Sequence, residues 1–246
     1  SAHSRDGSDR GSRAIKDPNN RPDREKARGN MGRQARSDEQ KQAKADRILS
    51  AATELYTERG FDETDVASIA AASGIAKGTF YLYFPTKEEL FLTMYRRAWQ
   101  DWTTEMKSGL TDPGLRHSIP KVVALLARTL GENRRLVELM AILHTRIEGN
   151  ITGESALAFT EELRDDIEGL GQLLEEQLEF LQPGEGRMLM TRTRALIIGL
   201  SHLAYPAPVI ADVLERPDMS LFRIDLPPAV SEMLMVMLMG LKGRRG

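Results

Sequence analysis

Lys77-Gly78-Thr79-Phe80-Tyr81 is where this sequence offers chemistry. Thr79 and Tyr81 carry hydroxyls that can bond phosphate oxygens, and the Tyr81 ring can meet a thymine methyl. Lys77 and Lys87 supply positive charge at the two ends of the segment. Gly78, lacking a side chain, lets a backbone approach a duplex closely. These groups recognise; they do not make or break bonds. Groups that would do so are scattered. His3, His117, His144 and His202 lie far apart, and no H-E-x-x-H, P-loop or G-x-S-x-G pattern occurs. Glu161-Glu162, Asp165-Asp166 and Glu175-Glu176 recur at helical intervals, as a solvated face would. The chain has no cysteine, which excludes disulfides, thiolate metal sites and a Cys nucleophile. The expectation is a protein that is not an enzyme and needs no cofactor or metal.

Three short helices must position that segment. The first is expected from about Gln40 to Arg59, with Ile48, Ala52, Leu55 and Tyr56 on one face and Gly60 as its C-cap. Phe61 comes next as an apolar anchor. Thr64 is expected to cap the second helix, which turns Val66, Ile69 and Ala70 inward. Gly74 makes the tight turn. The third helix is expected over Ala76 to Tyr83, with Phe80 and Phe84 four apart and facing the core. Pro85 stops it, and Thr86 with Glu89 forms a capping box for a fourth helix. This is the outline of a helix-turn-helix, whose second member lies in the major groove.

The stretch closely resembles the DNA-binding domain of the TetR family of bacterial transcriptional regulators. The resemblance covers residues 45–90 and rests on Thr64, Val66, Ile69, Ala70, Gly74, Lys77 to Tyr81, Tyr83, Phe84, Lys87 and Leu90. It implies an all-α homodimer with two DNA-binding heads, a larger C-terminal helical bundle for effector binding and dimerisation, and repression relieved by a small molecule. By the same resemblance Thr64 and Lys87 are phosphate contacts, while Lys77, Gly78, Thr79, Tyr81 and Tyr83 belong to the recognition helix. Two residues depart from the pattern. Ala76 stands where many members place Ser or Thr, and Leu82 where His is common.

Charge neither demands nor forbids this reading. The formal net charge is −2, so a bulk basic signature for nucleic acid is lacking and the distribution of bases matters more. Residues 1–40 are polar and contain Arg21, Arg24, Lys26, Arg28, Arg33 and Arg36. They are expected to form a disordered basic arm ahead of a head at 41–90 and a body at 91–246.

Over the body, Pro and Gly mark helices near 118–130, 134–147, 153–181 and 186–204, a short turn at 209–214, and a last helix from Pro227-Pro228 to Gly240. That last helix is apolar nearly all round, so a partner must cover one side. A four-helix dimer interface is expected from Leu196, Leu200 and Leu203 together with Met233, Leu234, Met237, Leu238 and Leu241. Candidates to line an effector pocket are Trp99, Trp102, Met106, Leu126, Met140, Leu143, His144, Phe159 and Leu163. The implied partners are a double-stranded DNA operator, a small hydrophobic effector and a second copy of the chain. No apolar run reaches membrane-span length, and the chain reads as cytoplasmic, in a bacterial nucleoid setting. The competing expectation is a helical protein-interaction module whose head no longer binds DNA.

Overall fold

A computed structural model of the protein describes the backbone of residues 21–245 and the side chains of residues 38–245. Every regular element among the described residues is helical, as expected. Helix α1 (Arg21–Glu63) starts earlier than the apolar pattern signals. The stretch before Gln40 has no apolar periodicity to reveal a helix, yet Glu25, Lys26, Ala27, Arg28, Gln34, Ala35 and Arg36 all favour one. The disordered arm expected over 1–40 is therefore corrected for 21–40, which are helical; residues 1–20 lie outside the described residues.

Residues 48–245 pack as one unit. Its first helical stretch buries Ile48, Leu49, Ala52, Leu55 and Tyr56. At Gly60 φ is 76° and ψ −176°, a backbone that ends the regular helix and suits only glycine. The chain then throws Phe61 against Phe91, with ring centroids 4.7 Å apart, and Tyr56 meets the same ring at 5.3 Å. Phe91 belongs to α4 (Lys87–Leu110), so this one helix closes the head's core and continues into the body. Two short helices lie between, α2 (Val66–Ser73) and α3 (Lys77–Phe80).

The body adds α5 (Ile119–Glu132), α6 (Arg134–Ile142), α7 (Gly153–Gln177), α8 (Glu185–Ala204), α9 (Pro208–Leu214) and α10 (Leu226–Gly243). One helix was expected over 134–147. Instead α6 gives way to a π turn at Leu143–Ile147 and a 3₁₀ turn at Glu148–Asn150. The turn keeps Leu143 and Ile147 fully buried while His144, Thr145 and Arg146 face out.

Helix α4 is tied to α7 by polar bonds. Arg96 forms a two-pronged ion pair with Glu162. The Trp99 indole donates to Asp166 at 3.0 Å and Lys107 reaches the other oxygen of that carboxylate at 2.7 Å. The acids read as a solvated face thus include two that anchor helices. Trp102 is buried and donates its indole N–H to Thr129 of α5 at 3.1 Å, which removes the cost of an unpaired donor. Helices α7 and α8 cross at two glycines. A Cβ on Gly186 would stand 2.0 Å from the Gly171 carbonyl oxygen, and one on Gly171 would stand 2.4 Å from the Arg187 nitrogen.

Candidate nucleic-acid interface and ligand-responsive body

The recognition segment is shorter than its sequence pattern predicts. Asp65, not Thr64, caps α2 and accepts from the Ser68 N–H at 2.8 Å. That bond holds the Asp65 carboxyl below the usual carboxylate range. Gly74 takes the left-handed conformation at φ 70° and its N–H turns back to Ala70 and Ala71. Ala76 offers no side-chain cap, Gly78 lowers helix propensity and Pro85 blocks extension, so α3 lasts only one turn. Hydrogen bonds from Leu82 to Thr79 (3.2 Å), Tyr83 to Phe80 (2.9 Å) and Phe84 to Phe80 (3.0 Å) carry the coil onward as a turn.

Phe80 and Phe84 are buried, as expected, and fix the orientation of everything else. Lys77, Gly78, Tyr81 and Leu82 lie on the open side, with Tyr81 48% and Leu82 75% exposed. Thr79 and Tyr83 are half-buried at the margin. The open side therefore mixes one cation, one phenol and one isolated leucine around a glycine.

The two expected phosphate contacts have partners within the chain. Thr64 is fully buried and donates its hydroxyl to the Gly60 carbonyl at 2.6 Å, so it serves the turn between α1 and α2. Lys87 points back into the head. Its ammonium donates to the Phe61 carbonyl at 2.7 Å and sits 3.9 Å from the Phe61 ring centroid. Desolvation lowers its pKa.

The segment after α6 straps the body to this head. Arg146 pairs with Asp62 at 3.1 Å, and Asn150 donates to Glu88 at 2.9 Å. Thr86 caps α4 through the Glu89 N–H and donates its hydroxyl to the Asn150 carbonyl. Glu89 does not close the expected capping box; its carboxylate accepts from the Thr152 N–H at 2.7 Å. The start of the helix that carries the head is thereby bound to residues 146–152.

In the body the candidate pocket residues divide. Trp99, Trp102, Met106, Leu126, Met140, Leu143 and Phe159 are all buried in the packed interior. Leu163 is half-buried. His144 is on the surface, with its Nδ1 2.8 Å from Glu148, so its expected place in a pocket is corrected. The π turn rotates it outward.

The expected dimer residues divide as well. Leu234, Leu238 and Leu241 are buried in the chain's own core and are not available to a partner. Met233 and Leu203 are exposed, and Leu196, Leu200 and Met237 are half-buried. A groove of about 650 Å³ runs between α8 and α10, lined by Arg192, Ala195, Leu196, Glu232, Met233, Val236 and Met237. Val236, which was not among the expected interface residues, lines it and is 72% exposed. Its only sequence signal was its place beside Met237 in an unbroken apolar run.

The described residues thus form an all-helical protein with a helix-turn-helix head on a helical body, the architecture of a DNA-binding regulator. The head matches the family model for bacterial regulatory proteins of the tetR family over residues 48–94. The body matches the tetracyclin repressor-like C-terminal domain over residues 96–245. The chain belongs to the tetR family. A fatty acid metabolism regulator protein of Bacillus subtilis is 32% identical over 73 residues, which is 30% of this chain and 38% of that protein. The HTH-type transcriptional regulator YuxN of the same organism is 26% identical, over 63% of each chain. The matched regions therefore span less than two thirds of these relatives' own length. Among solved structures, the TetR family regulator PfmR of Thermus thermophilus aligns with a TM-score of 0.53 at 18% identity, covering 78% of this chain and 97% of its own. FadR of Thermus thermophilus, a transcriptional repressor in complex with lauroyl-CoA, aligns with a TM-score of 0.53 at 22% identity, covering 79% and 93%. At such identities the likeness establishes the fold.

Proposed function

We propose that the protein is a dimeric, ligand-responsive repressor that binds double-stranded DNA in the bacterial cytoplasm and leaves its operator when an acyl-type hydrophobic molecule binds the body. The observation that carries this is the open face of Lys77, Gly78, Tyr81 and Leu82, held outward by the buried rings of Phe80 and Phe84. Thr79 and Tyr83 flank it, and Leu82 supplies an apolar contact suited to a thymine methyl. The acyl assignment is supported by the lauroyl-CoA complex of the Thermus thermophilus neighbour and by the Bacillus subtilis fatty acid metabolism regulator that matches 73 residues of the chain.

Dimerisation is supported by the apolar groove between α8 and α10. Gly199 and Gly240, on those two helices, have nothing within 4 Å of where a Cβ would stand, which leaves room for a second copy to approach closely. A dimer sets two recognition segments against successive major grooves about 34 Å apart. The strap at 146–152 is the route by which a change in the body alters that spacing. A ligand that binds one arrangement more tightly shifts the population toward it.

A gel shift with the DNA upstream of its own gene tests the reading. The expected result is a shift that weakens steeply as salt rises. A head that shifts no such DNA at low salt would favour the interaction-module alternative.

A further inference from the structure

The interior of the body contains polar groups that packing leaves unanswered. Tyr95 of α4 is fully buried, its ring edge-on to Phe159 (centroids 5.4 Å) and stacked on Trp99 (6.3 Å). Its hydroxyl has no hydrogen-bond partner. The Nε of Arg194, on α8, is also buried and also lacks one. The two groups are neighbours: the Arg194 charge acts on the Tyr95 hydroxyl and lowers its pKa, against the larger raising effect of burial. Their side chains approach closely enough for Arg194 to lower the phenol's pKa by hydrogen bonding as well as by charge, but the contact falls short of hydrogen-bond geometry and leaves both atoms unsatisfied.

Nearby acids are already engaged. Glu162 is taken by Arg96, Asp166 by Trp99 and Lys107, and Glu148 by His144. The Arg194 Nε, just ahead of the apolar run Ala195-Leu196-Ile197-Ile198, is buried without an acceptor, which is costly unless something else supplies one. Arg194 as a whole is only half-buried, so part of its side chain meets solvent, whereas Tyr95 is fully enclosed behind it.

We propose that Tyr95 and Arg194 receive the anionic head of the effector, one oxygen accepting from the phenol and another from the guanidinium. This rests on the ligand-responsive reading above and names the chemistry its site takes. Two donors of this kind select an acid over an alcohol or an amine. Glu148 also acts on the Tyr95 hydroxyl, and it lies within the strap at 146–152. A bound anion repels Glu148 and so bears on the connection to the head.

The test is isothermal titration of the full chain with dodecanoate, dodecanoyl-CoA and, as a neutral control, 1-dodecanol. The wild type is expected to bind an acid form at least about tenfold tighter than the alcohol, the scale of a charge-assisted pair. Arg194→Met should abolish that preference. Tyr95→Phe should weaken the acid about three- to tenfold and leave alcohol binding and the melting temperature unchanged, because it deletes only an unpaired hydroxyl. A loss confined to dodecanoate assigns the pair to a free carboxylate; a loss shared by the thioester assigns it to the charged groups of the conjugate. Wild type that binds neither acid, or variants that bind as wild type does, would overturn the proposal. A chain that binds acid but no DNA sinks the regulator reading alone, while one that binds DNA but no acid sinks this site alone.

Discussion

The head and the body fix their working groups by opposite means. In the head, backbone turns do it: Gly60 and Gly74 at positive φ, Asp65 as a cap, and two phenylalanines beneath a single helical turn. The working face ends up outside, small and polar except for Leu82. In the body, helix faces do it. The same Leu and Met residues form the core at Leu234 and Leu238 and the groove at Met233 and Met237, one helical step apart on α10. The surface proposed to meet DNA is thus built from local geometry, and the one proposed to meet a second chain from what the first chain leaves uncovered.

Substitutions can break this contrast, and the largest effect falls at the α7–α8 crossing. Gly186→Ala would place a Cβ 2.0 Å from a backbone oxygen with no flexible side chain to give way. A loss of about 3 kcal/mol, or failure to fold, is expected in urea titration. Next come neighbours on α10. Leu234→Asp buries a carboxylate and should cost about 3–5 kcal/mol. Met237→Asp should leave the melt nearly unchanged and yield monomers in sedimentation velocity. If both behave alike, the division of α10 into a core side and a partner side is wrong.

In the head, Tyr81→Ala should lower operator affinity about tenfold without shifting the melting temperature, with Leu82→Ala at about threefold. Unchanged affinity for both would remove that face from the DNA. The surface pair of Arg146 with Asp62 is well exposed, so Arg146→Ala should cost less than about 1 kcal/mol of stability. Its clearer readout is a weakened response of DNA binding to effector. The smallest effect is a pH dependence at Asp65. Its folded pKa is lowered, so its contribution is present above the usual carboxylate range and disappears as pH falls through that lowered value. Asp65→Ala should flatten that part of the acid limb of the stability profile.

The same contrast decides what the sequence could reveal. Gly74, Pro85, Thr86 and the Phe80–Phe84 spacing announce their geometry by residue type, and the head was legible from them. Thr64 misled because two adjacent residues could each cap, and only the fold selects Asp65. The resting place of Lys87 was not legible because a long cation can reach outward or lie back on a ring. In the body, periodicity located the helices but could not say which apolar stripe the chain covers itself. His144 was misplaced for a different reason: the π turn adds a residue to the helical repeat, and no residue type signals it.

That extra residue has an evolutionary consequence. Deleting one position within 143–147 would restore ordinary helical spacing and swing the downstream residues by about 100°. Arg146 would then miss Asp62, and Asn150 would miss Glu88, though no side chain of the proposed DNA face or effector site had changed. If the protein is the regulator proposed above, its sensitivity to an inducer can be dialled by chain length at this spot, leaving promoter choice and inducer choice untouched.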